Sequence, residues 1–263
     1  MDDIRIRLEK VKYRIIIMSG KGGVGKTMIT VNIAEALALK GYKVSIFDCD
    51  LHGPSVPKML GLSNVSLLAN DQGIYPHNAR NNIEVVSMDF LLPSEESPVI
   101  WRGPIKTRAI MELLSRVNWG ERDFLLVDLP PGTGDESLSI VQFIPNISGS
   151  ILITIPSRVS EHVVRKAVSF TRQLNIPILG IIENMSYFIC PNCGAKYNIF
   201  GKGGGYRIAR EMNIRFLGEI PLDPRLAEAC DKGLSFLSIY PESETAKVLN
   251  EIALKILGLL GVK

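Results

Sequence analysis

The chain has 263 residues, of which 46% are apolar and 22% are charged, and this length and composition predict one globular domain spanning residues 1–263. The net charge of +3 comes from scattered Lys and Arg, so nothing points to nucleic acid or to stable association with a membrane. The first residues lack the apolar core of a signal peptide, and no apolar run is long enough to span a bilayer. We therefore expect a cytoplasmic protein, whose four cysteines are thiols or metal ligands rather than disulfides.

Apolar runs of strand length alternate with stretches of helical periodicity along most of the chain. Strands are predicted over residues 13–18, 44–48, 83–87, 124–128, 150–155 and 178–183, with a last strand from residue 216. Helices are predicted over 28–39, 105–117, 161–174 and 244–260, with a polar lead-in over 1–11 and a polar excursion over 61–80. Repeated βα units imply an α/β fold with a mostly parallel, twisted sheet flanked by helices.

The last predicted helix carries an apolar stripe that could rest either on a membrane surface or on the sheet. Burying each large apolar side chain contributes about 1.5–3 kcal/mol. The few lysines nearby would each contribute only about 1 kcal/mol at an anionic lipid surface. We therefore expect this helix to pack on the sheet, and we likewise expect Trp101 and Trp119 to lie in the core.

A glycine-rich run connects the first predicted strand to the first predicted helix. Its sequence is Gly20-Lys21-Gly22-Gly23-Val24-Gly25-Lys26-Thr27, and it matches the pattern G-x-x-x-x-G-K-[ST]. Glycines let backbone N–H groups surround an anion, and the positive end of the following helix adds to the attraction. The run therefore predicts a phosphate-binding loop in which Lys26 reaches the β- and γ-phosphates and the Thr27 hydroxyl binds Mg²⁺.

Acidic residues end two of the predicted strands. Asp48 closes the second strand and is followed by Asp50, and Asp128 closes the strand that begins at residue 124. Ligands of open α/β sheets bind at this carboxyl edge, and carboxylates near a triphosphate are tolerated when they hold the metal or a water. Asp128 is predicted to bind Mg²⁺ through water, and the residues do not decide which of Asp48 and Asp50 positions the attacking water. The loop at 129–135 is expected to sense the γ-phosphate.

Two cysteines, Cys190 and Cys193, form a C-x-x-C pair after the strand predicted at 178–183. Such a pair can chelate a metal or a cluster, or form a redox disulfide, although its late position argues against a thioredoxin-like role. Two thiolates do not complete the four-ligand shell of zinc or of a [4Fe-4S] cluster, whereas a symmetric dimer would. Cys49 and Cys230 are expected to be buried thiols. The glycine run at 201–205 is interpreted as a flexible connection.

The glycine-rich loop with its early Lys21 resembles the deviant phosphate loop of the MinD/ParA/nitrogenase-iron-protein group. Across nearly the whole chain, the motifs resemble the Mrp/ApbC family of iron-sulfur cluster carrier ATPases. The motifs that carry this resemblance are residues 20–27, 48–57, 101–104, 128–135, 183–186 and 218–223 and the cysteine pair. The family implies a homodimer that binds ATP and Mg²⁺ and holds a labile, bridging [4Fe-4S] cluster for transfer to apo-proteins.

The resemblance also implies roles for individual residues. Lys21 would contact nucleotide across the dimer interface, Asp50 would polarise the attacking water, and Asp48 would support the metal shell. Asn184 would read the adenine, and the turn containing Pro221 is expected to close over the base. Met28 stands where the group usually has Ser or Thr, so its contact to the α-phosphate would come from the backbone N–H.

We therefore expect a slow, Mg²⁺-dependent ATPase with Lys21, Lys26 and Asp50 as catalytic residues and Cys190 and Cys193 as cluster ligands. One alternative is a positioning ATPase that binds a membrane or DNA in its ATP-bound dimer. Another is a nucleotide-controlled dimer in which zinc at the same cysteines is purely structural.

Overall fold

A computed structural model describes residues 2–50, 53, 55–63, 65–91 and 103–262. The strands are β1 Val11–Ser19, β2 Val44–Asp48, β3 Leu68–Asn70, β4 Gly73–Tyr75, β5 His77–Asn78, β6 Glu84–Ser87, β7 Arg122–Asp128, β8 Gly149–Thr154, β9 Ile178–Glu183, β10 Phe188–Ile189, β11 Lys196–Tyr197 and β12 Phe216–Glu219. The α-helices are α1 Asp2–Leu8, α2 Lys26–Ala38, α3 Val56–Met59, α4 Gly103–Arg116, α5 Asp135–Phe143, α6 Arg158–Gln173, α7 Gly204–Glu211, α8 Pro224–Asp231, α9 Phe236–Ile239 and α10 Glu244–Leu259.

Eight strands form one sheet in the order β12-β9-β8-β1-β7-β2-β6-β5. All neighbouring pairs are parallel except β5 and β6. Parallel strands need helical crossovers that cover both faces, which is why the central strands β1, β2, β7 and β8 are buried at nearly every position. The predicted mostly parallel α/β fold is confirmed.

The two faces of the sheet carry two separate apolar layers. Side chains alternate along β1, so Ile15 and Ile17 enter the layer that also contains residues of α2 and α10. Ile16 and Met18 enter the opposite layer with residues of α4, α5 and α6. The strand that leads into the glycine-rich loop is therefore fixed from both sides, and this gives the loop a rigid base.

The apolar stripe of α10 is buried, as predicted. Leu249, Ile252 and Ile256 are fully buried in the layer that also contains residues of α2 and β12. Every helix among the described residues is too short or too polar to cross a membrane. Trp119 is buried as expected, whereas Trp101 lies outside the described residues.

Two local predictions need correction. The stretch taken as a polar lead-in contains helix α1, because Ile4 and Leu8 are four residues apart and share one buried helical face. The glycine run at 201–205 is only partly a connection, because α7 begins at Gly204. The polar excursion at 61–80 contains the β3–β4 hairpin and β5, which pairs antiparallel with β6 at the edge of the sheet.

Candidate functional site

The glycine-rich loop joins the carboxyl end of β1 to the first turn of α2. Helix α2 begins at Lys26, two residues earlier than predicted, because the Ile29 N–H already bonds to the Gly25 carbonyl at 3.0 Å. Gly25 has φ +79°, and a Cβ there would collide with the Asn184 amide nitrogen. Glycine is therefore required at this position by both backbone conformation and space.

Lys26 and Asp128 form a buried ion pair at the base of this loop. The Lys26 Nζ lies 2.6 Å from the Asp128 Oδ2, and both side chains are almost fully buried. The Thr27 hydroxyl donates to the same oxygen at 2.7 Å, and the Thr30 hydroxyl lies 2.7 Å from the Asp128 Oδ1. Hydroxyl and carboxylate oxygens are the ligands that Mg²⁺ prefers, so Thr27 and Asp128 fit the predicted magnesium site.

A second carboxylate lies directly beside Asp128. Asp48 ends β2, and the two aspartates are register partners on neighbouring parallel strands. Ser87, at the end of β6, donates to the Asp48 Oδ2 at 3.0 Å. Complete burial and the charge of Asp128 raise the pKa of Asp48 to about 8. Two adjacent buried carboxylates with one lysine form an acidic site whose charge a divalent cation would neutralise.

Asp50 lies at the rim of this acidic pair. Its side chain is half-buried, and its backbone N–H donates to the Asp48 Oδ1 at 3.2 Å. Cys49, between them, is fully buried, and burial raises the pKa of its thiol well above the usual value. The prediction that Cys49 is a buried thiol is therefore confirmed. Residues 51, 52 and 54 of the following motif lie outside the described residues.

The loop after β7 lies against the glycine-rich loop. The Gly132 N–H bonds to the Ser19 carbonyl at 2.9 Å, and Gly22 faces Pro131. Lys21, Gly22 and Gly23 are at least partly exposed, whereas Val24 is buried. The segment predicted to sense the γ-phosphate thus contacts the start of the phosphate loop. Gly20 packs against Val163 of α6, and Met28 is half-buried beside Gly25.

Asn184, just past β9, lies against the glycine-rich loop. Its amide donates to the Val24 carbonyl at 2.9 Å, and its side chain is buried. Pro221 is buried in the segment alongside, where the Ser186 N–H bonds to the Ile220 carbonyl at 3.0 Å. Adenine contact by Asn184 and Pro221 stays a prediction, and the observed role of Asn184 is to hold the loop backbone.

The cysteine pair occupies the turn between β10 and β11. The Cys190 N–H bonds to the Ala195 carbonyl, and the Gly194 N–H returns to the Cys190 carbonyl, each at 2.9 Å. Backbone N–H groups of Cys193 and Asn192 lower the pKa of the Cys190 thiol by stabilising its thiolate. Cys190 is partly exposed and Cys193 is exposed, in contrast to the buried Cys49 and Cys230. Both thiols are therefore accessible to a soft metal ion from solution, and Cys190 forms its thiolate more readily than a free cysteine.

Side chains around the turn tie it to the start of α10. The Lys196 ammonium lies over the Tyr187 ring at 4.4 Å, and the Tyr187 hydroxyl donates to Glu244 at 3.3 Å. The Leu222 N–H bonds to the Tyr187 carbonyl at 2.7 Å. The cysteine turn is thus attached to the segment that contains Pro221.

The family model described as ParA, NUBPL iron-transfer P-loop NTPase, matches residues 10–257. The chain belongs to this family. It is 50% identical over 257 residues to a protein named iron-sulfur cluster carrier protein from Saccharolobus solfataricus, covering 98% of this chain and 87% of that protein.

Solved structures agree with this assignment. A nucleotide-binding protein from Archaeoglobus fulgidus in complex with ADP, with cobalt found by PIXE, is 41% identical with a TM-score of 0.79, covering 89% of this chain and 91% of that one. The septum site-determining protein MinD from Pyrococcus horikoshii, complexed with Mg-ADP, is 25% identical with a TM-score of 0.72, covering 96% and 98%. The family resemblance drawn from the motifs is confirmed.

Sequence reasoning missed three buried residues of this ParA-family site. Thr30 and Ser87 hold the carboxylates of Asp128 and Asp48, and Glu183 contacts the segment that carries the cysteines. The position of Thr30, three residues after Thr27, places both hydroxyls on one helical face, and this spacing was the available signal. The contact of Ser87 depends on Asp48, its partner on the neighbouring strand, and the contact of Glu183 with Gly205 depends on how α7 packs at the end of β9.

Proposed function

We propose that this chain is a Mg²⁺-dependent ATPase that carries an iron-sulfur cluster as a homodimer and transfers it to apo-proteins. The observation that carries the proposal is that the segment after β9 first contacts the phosphate loop and then leads directly into the cysteine pair. Asn184 follows β9 and holds the phosphate loop, and Cys190 lies six residues further along the chain. The names of the family and of the Saccharolobus solfataricus relative support iron-sulfur transfer.

In the proposed nucleotide site, Lys26 and Lys21 neutralise charge on the transferring phosphoryl group, and Asp50 positions the attacking water. Thr27 and Asp128 hold Mg²⁺, with Asp48 behind them, and the cation supplies charge neutralisation at the phosphates. Lys26 is paired with Asp128 in the present structure, so phosphates are its alternative partner. The Mg-ADP complex of the MinD relative supports a magnesium requirement.

In the proposed carrier site, the cargo is a [4Fe-4S] cluster. Each chain supplies Cys190 and Cys193, and a second copy supplies the other two thiolates that such a cluster needs. The lowered pKa of the Cys190 thiol supports ligation at neutral pH, because the thiolate is the ligand form. Exposure of the pair supports access by a second copy and by a recipient protein. A cytoplasmic location belongs to the same proposal.

The deciding experiment is anaerobic reconstitution with iron and sulfide, followed by absorption near 400 nm and counts of iron, sulfide and zinc. The Cys193→Ala variant should lose about four irons per dimer and keep its ADP affinity. Cys230→Ala is the matched control, because Cys230 is buried and burial raises the pKa of its thiol to about 11. Unchanged iron in Cys193→Ala contradicts the cysteine assignment.

A second candidate function has zinc as a structural ion at the same two cysteines. The closed turn around Cys190 and Gly194, with its two backbone hydrogen bonds, suits a zinc thiolate site as well as a cluster. The metal counts separate the two functions. Stoichiometric zinc that iron and sulfide do not displace would favour the structural role.

A further inference from the structure

Glu183 is the last residue of β9, and its side chain is fully buried. One carboxylate oxygen, Oε1, accepts from the Ser186 hydroxyl at 2.9 Å. The other, Oε2, accepts from the Gly205 backbone N–H, and the Gly203 N–H lies close enough to stabilise the same carboxylate. A buried carboxylate is costly unless it is hydrogen-bonded, so these contacts fix where its partners lie.

The partners of Glu183 flank the cysteine segment, which we define as residues 185–205. Ser186 lies four residues before Cys190, and Gly203 and Gly205 lie ten and twelve residues after Cys193. Between them, residues 191–202 are exposed throughout. One buried carboxylate therefore closes the base of an exposed loop that carries both cysteines.

The glycines at the end of the segment permit this closure. Gly203 precedes α7 with φ +65°, and as a glycine it has no side chain that could cap the helix. A Cβ on Gly205 would lie 3.1 Å from the Glu183 Cβ, closer than most such contacts. The Glu183 carboxylate thus approaches the start of α7 and takes the place of the missing cap, where the helix dipole favours a negative charge.

Asn184, the residue after Glu183, contacts the phosphate loop. Asn184 donates to the Val24 carbonyl, while Glu183 accepts from both ends of the cysteine segment. Burial raises the pKa of Glu183, and the hydrogen bonds from Gly205 and Ser186 oppose that rise by stabilising the carboxylate. Two adjacent residues at one strand end therefore contact the phosphate loop and the two ends of the cysteine segment.

We infer that Glu183 is a positioning residue that fixes the cysteine segment to the strand end holding the phosphate loop. This inference deepens the proposed function and rests on it for the role of the cysteines. The attachment of the segment itself is a property of the folded chain and is measurable without any cluster. The test therefore has one readout that is independent of metal and one that is not.

The test uses Glu183→Gln, which keeps the size of the side chain but puts an NH₂ donor where one acceptor oxygen stood. Glu161→Gln is the matched control, because Glu161 also loses a carboxylate next to α7 but contacts the Arg207 side chain at 2.5 Å instead. Hydrogen exchange of the nucleotide-free proteins is followed at residues 186–190 and 203–207. We expect exchange about tenfold faster at both stretches in Glu183→Gln. In Glu161→Gln we expect it unchanged at residues 186–190, because the partner of Glu161 lies in the second stretch only.

Cobalt(II) titration supplies the second readout through the thiolate-to-cobalt charge-transfer band. We expect about tenfold weaker cobalt binding in Glu183→Gln, in line with losses on removing outer partners of metal ligands, with unchanged ADP affinity. A global loss of stability would weaken ADP binding as well. Exchange and cobalt binding in Glu183→Gln that equal those of the wild type would overturn the inference.

Failure of the proposed function gives a different pattern. If the wild type takes up no cobalt or iron, the cysteine assignment fails, while faster exchange in Glu183→Gln still supports the attachment. If Glu183→Gln does not fold, Ser186→Ala replaces it, because this variant removes one donor and leaves the carboxylate in place. Its exchange should be about threefold faster at residues 186–190, and wild-type exchange there would overturn the inference.

Discussion

Replacing Thr30 by valine removes one hydrogen bond from the carboxylate at the centre of the nucleotide site. Valine has nearly the shape of threonine, so the substitution takes away the hydroxyl without opening a cavity. Thr30 is fully buried, and its hydroxyl lies 2.7 Å from the Asp128 Oδ1. The change therefore tests whether the second turn of α2 orients Asp128.

The expected loss follows from the environment of the bond. Hydrogen bonds to charged groups contribute about 1.5–3 kcal/mol, and burial of both partners places this one within that range. Asp128 keeps Lys26 and Thr27 as partners, so its charge is not left unpaired. We expect the free energy of unfolding to fall by about 2 kcal/mol, which is a shift of roughly 0.7 M in the urea midpoint for a chain of this size.

Urea unfolding without nucleotide measures the free energy of unfolding. The rate of ATP hydrolysis at increasing Mg²⁺ concentration measures how well the site binds the cation. A less firmly held Asp128 should raise the Mg²⁺ concentration for half-maximal activity about tenfold. Thr30→Ser should behave as the wild type, because it retains the hydroxyl. Thr171→Val is the matched control, since Thr171 is equally buried but its hydroxyl bonds to the Ala167 carbonyl of its own helix at 2.8 Å.

The reasoning is refuted if Thr30→Val and Thr171→Val lose the same stability and both keep the wild-type Mg²⁺ dependence. In that case, the hydroxyl of Thr30 would stabilise only its own helix through the Lys26 carbonyl, which lies 3.0 Å away.

Three further substitutions test the glycine-rich loop, the acidic pair beside it and the buried ion pair between Arg80 and Glu35. Gly25→Ala should abolish ADP binding measured by calorimetry, because a Cβ at φ +79° would collide with Asn184, and wild-type affinity would contradict this. The pKa of Asp48 is about 8 in the folded protein and about 4 in the unfolded chain, so between these values the folded state binds the extra proton. With metal ions removed by EDTA, the free energy of unfolding should therefore fall as the pH rises from about 5 to about 8. Asp48→Asn should remove that fall, and parallel urea-midpoint curves would disprove it. Arg80→Met should lower the free energy of unfolding by about 3–5 kcal/mol, because it leaves buried Glu35 without its ion-pair partner, and a loss below about 1 kcal/mol would refute this.

The sequence was sufficient for the fold class and for the nucleotide loop, because both depend on short-range patterns. A strand, a glycine turn and a helix are adjacent in the chain, and their periodicities need no knowledge of distant neighbours. Helix α1 was missed because only Ile4 and Leu8 mark it, and two apolar residues are a weak periodic signal. The glycines at 203–205 were interpreted as part of a flexible connection for a related reason, since the close approach of Gly205 to Glu183 exists only in the folded chain.

By itself, then, the sequence determined the alternation of strands and helices, the phosphate loop at residues 20–27 and the C-x-x-C spacing of Cys190 and Cys193. Tertiary structure alone decided that Asp48 and Asp128 stand side by side and that Thr30 and Ser87 hold them. It also decided that Glu183 closes the cysteine segment. The physical reason is that backbone conformation follows from neighbours in the chain, whereas burial and hydrogen-bond partners are set by strand order, which brings residues from remote positions to one edge of the sheet.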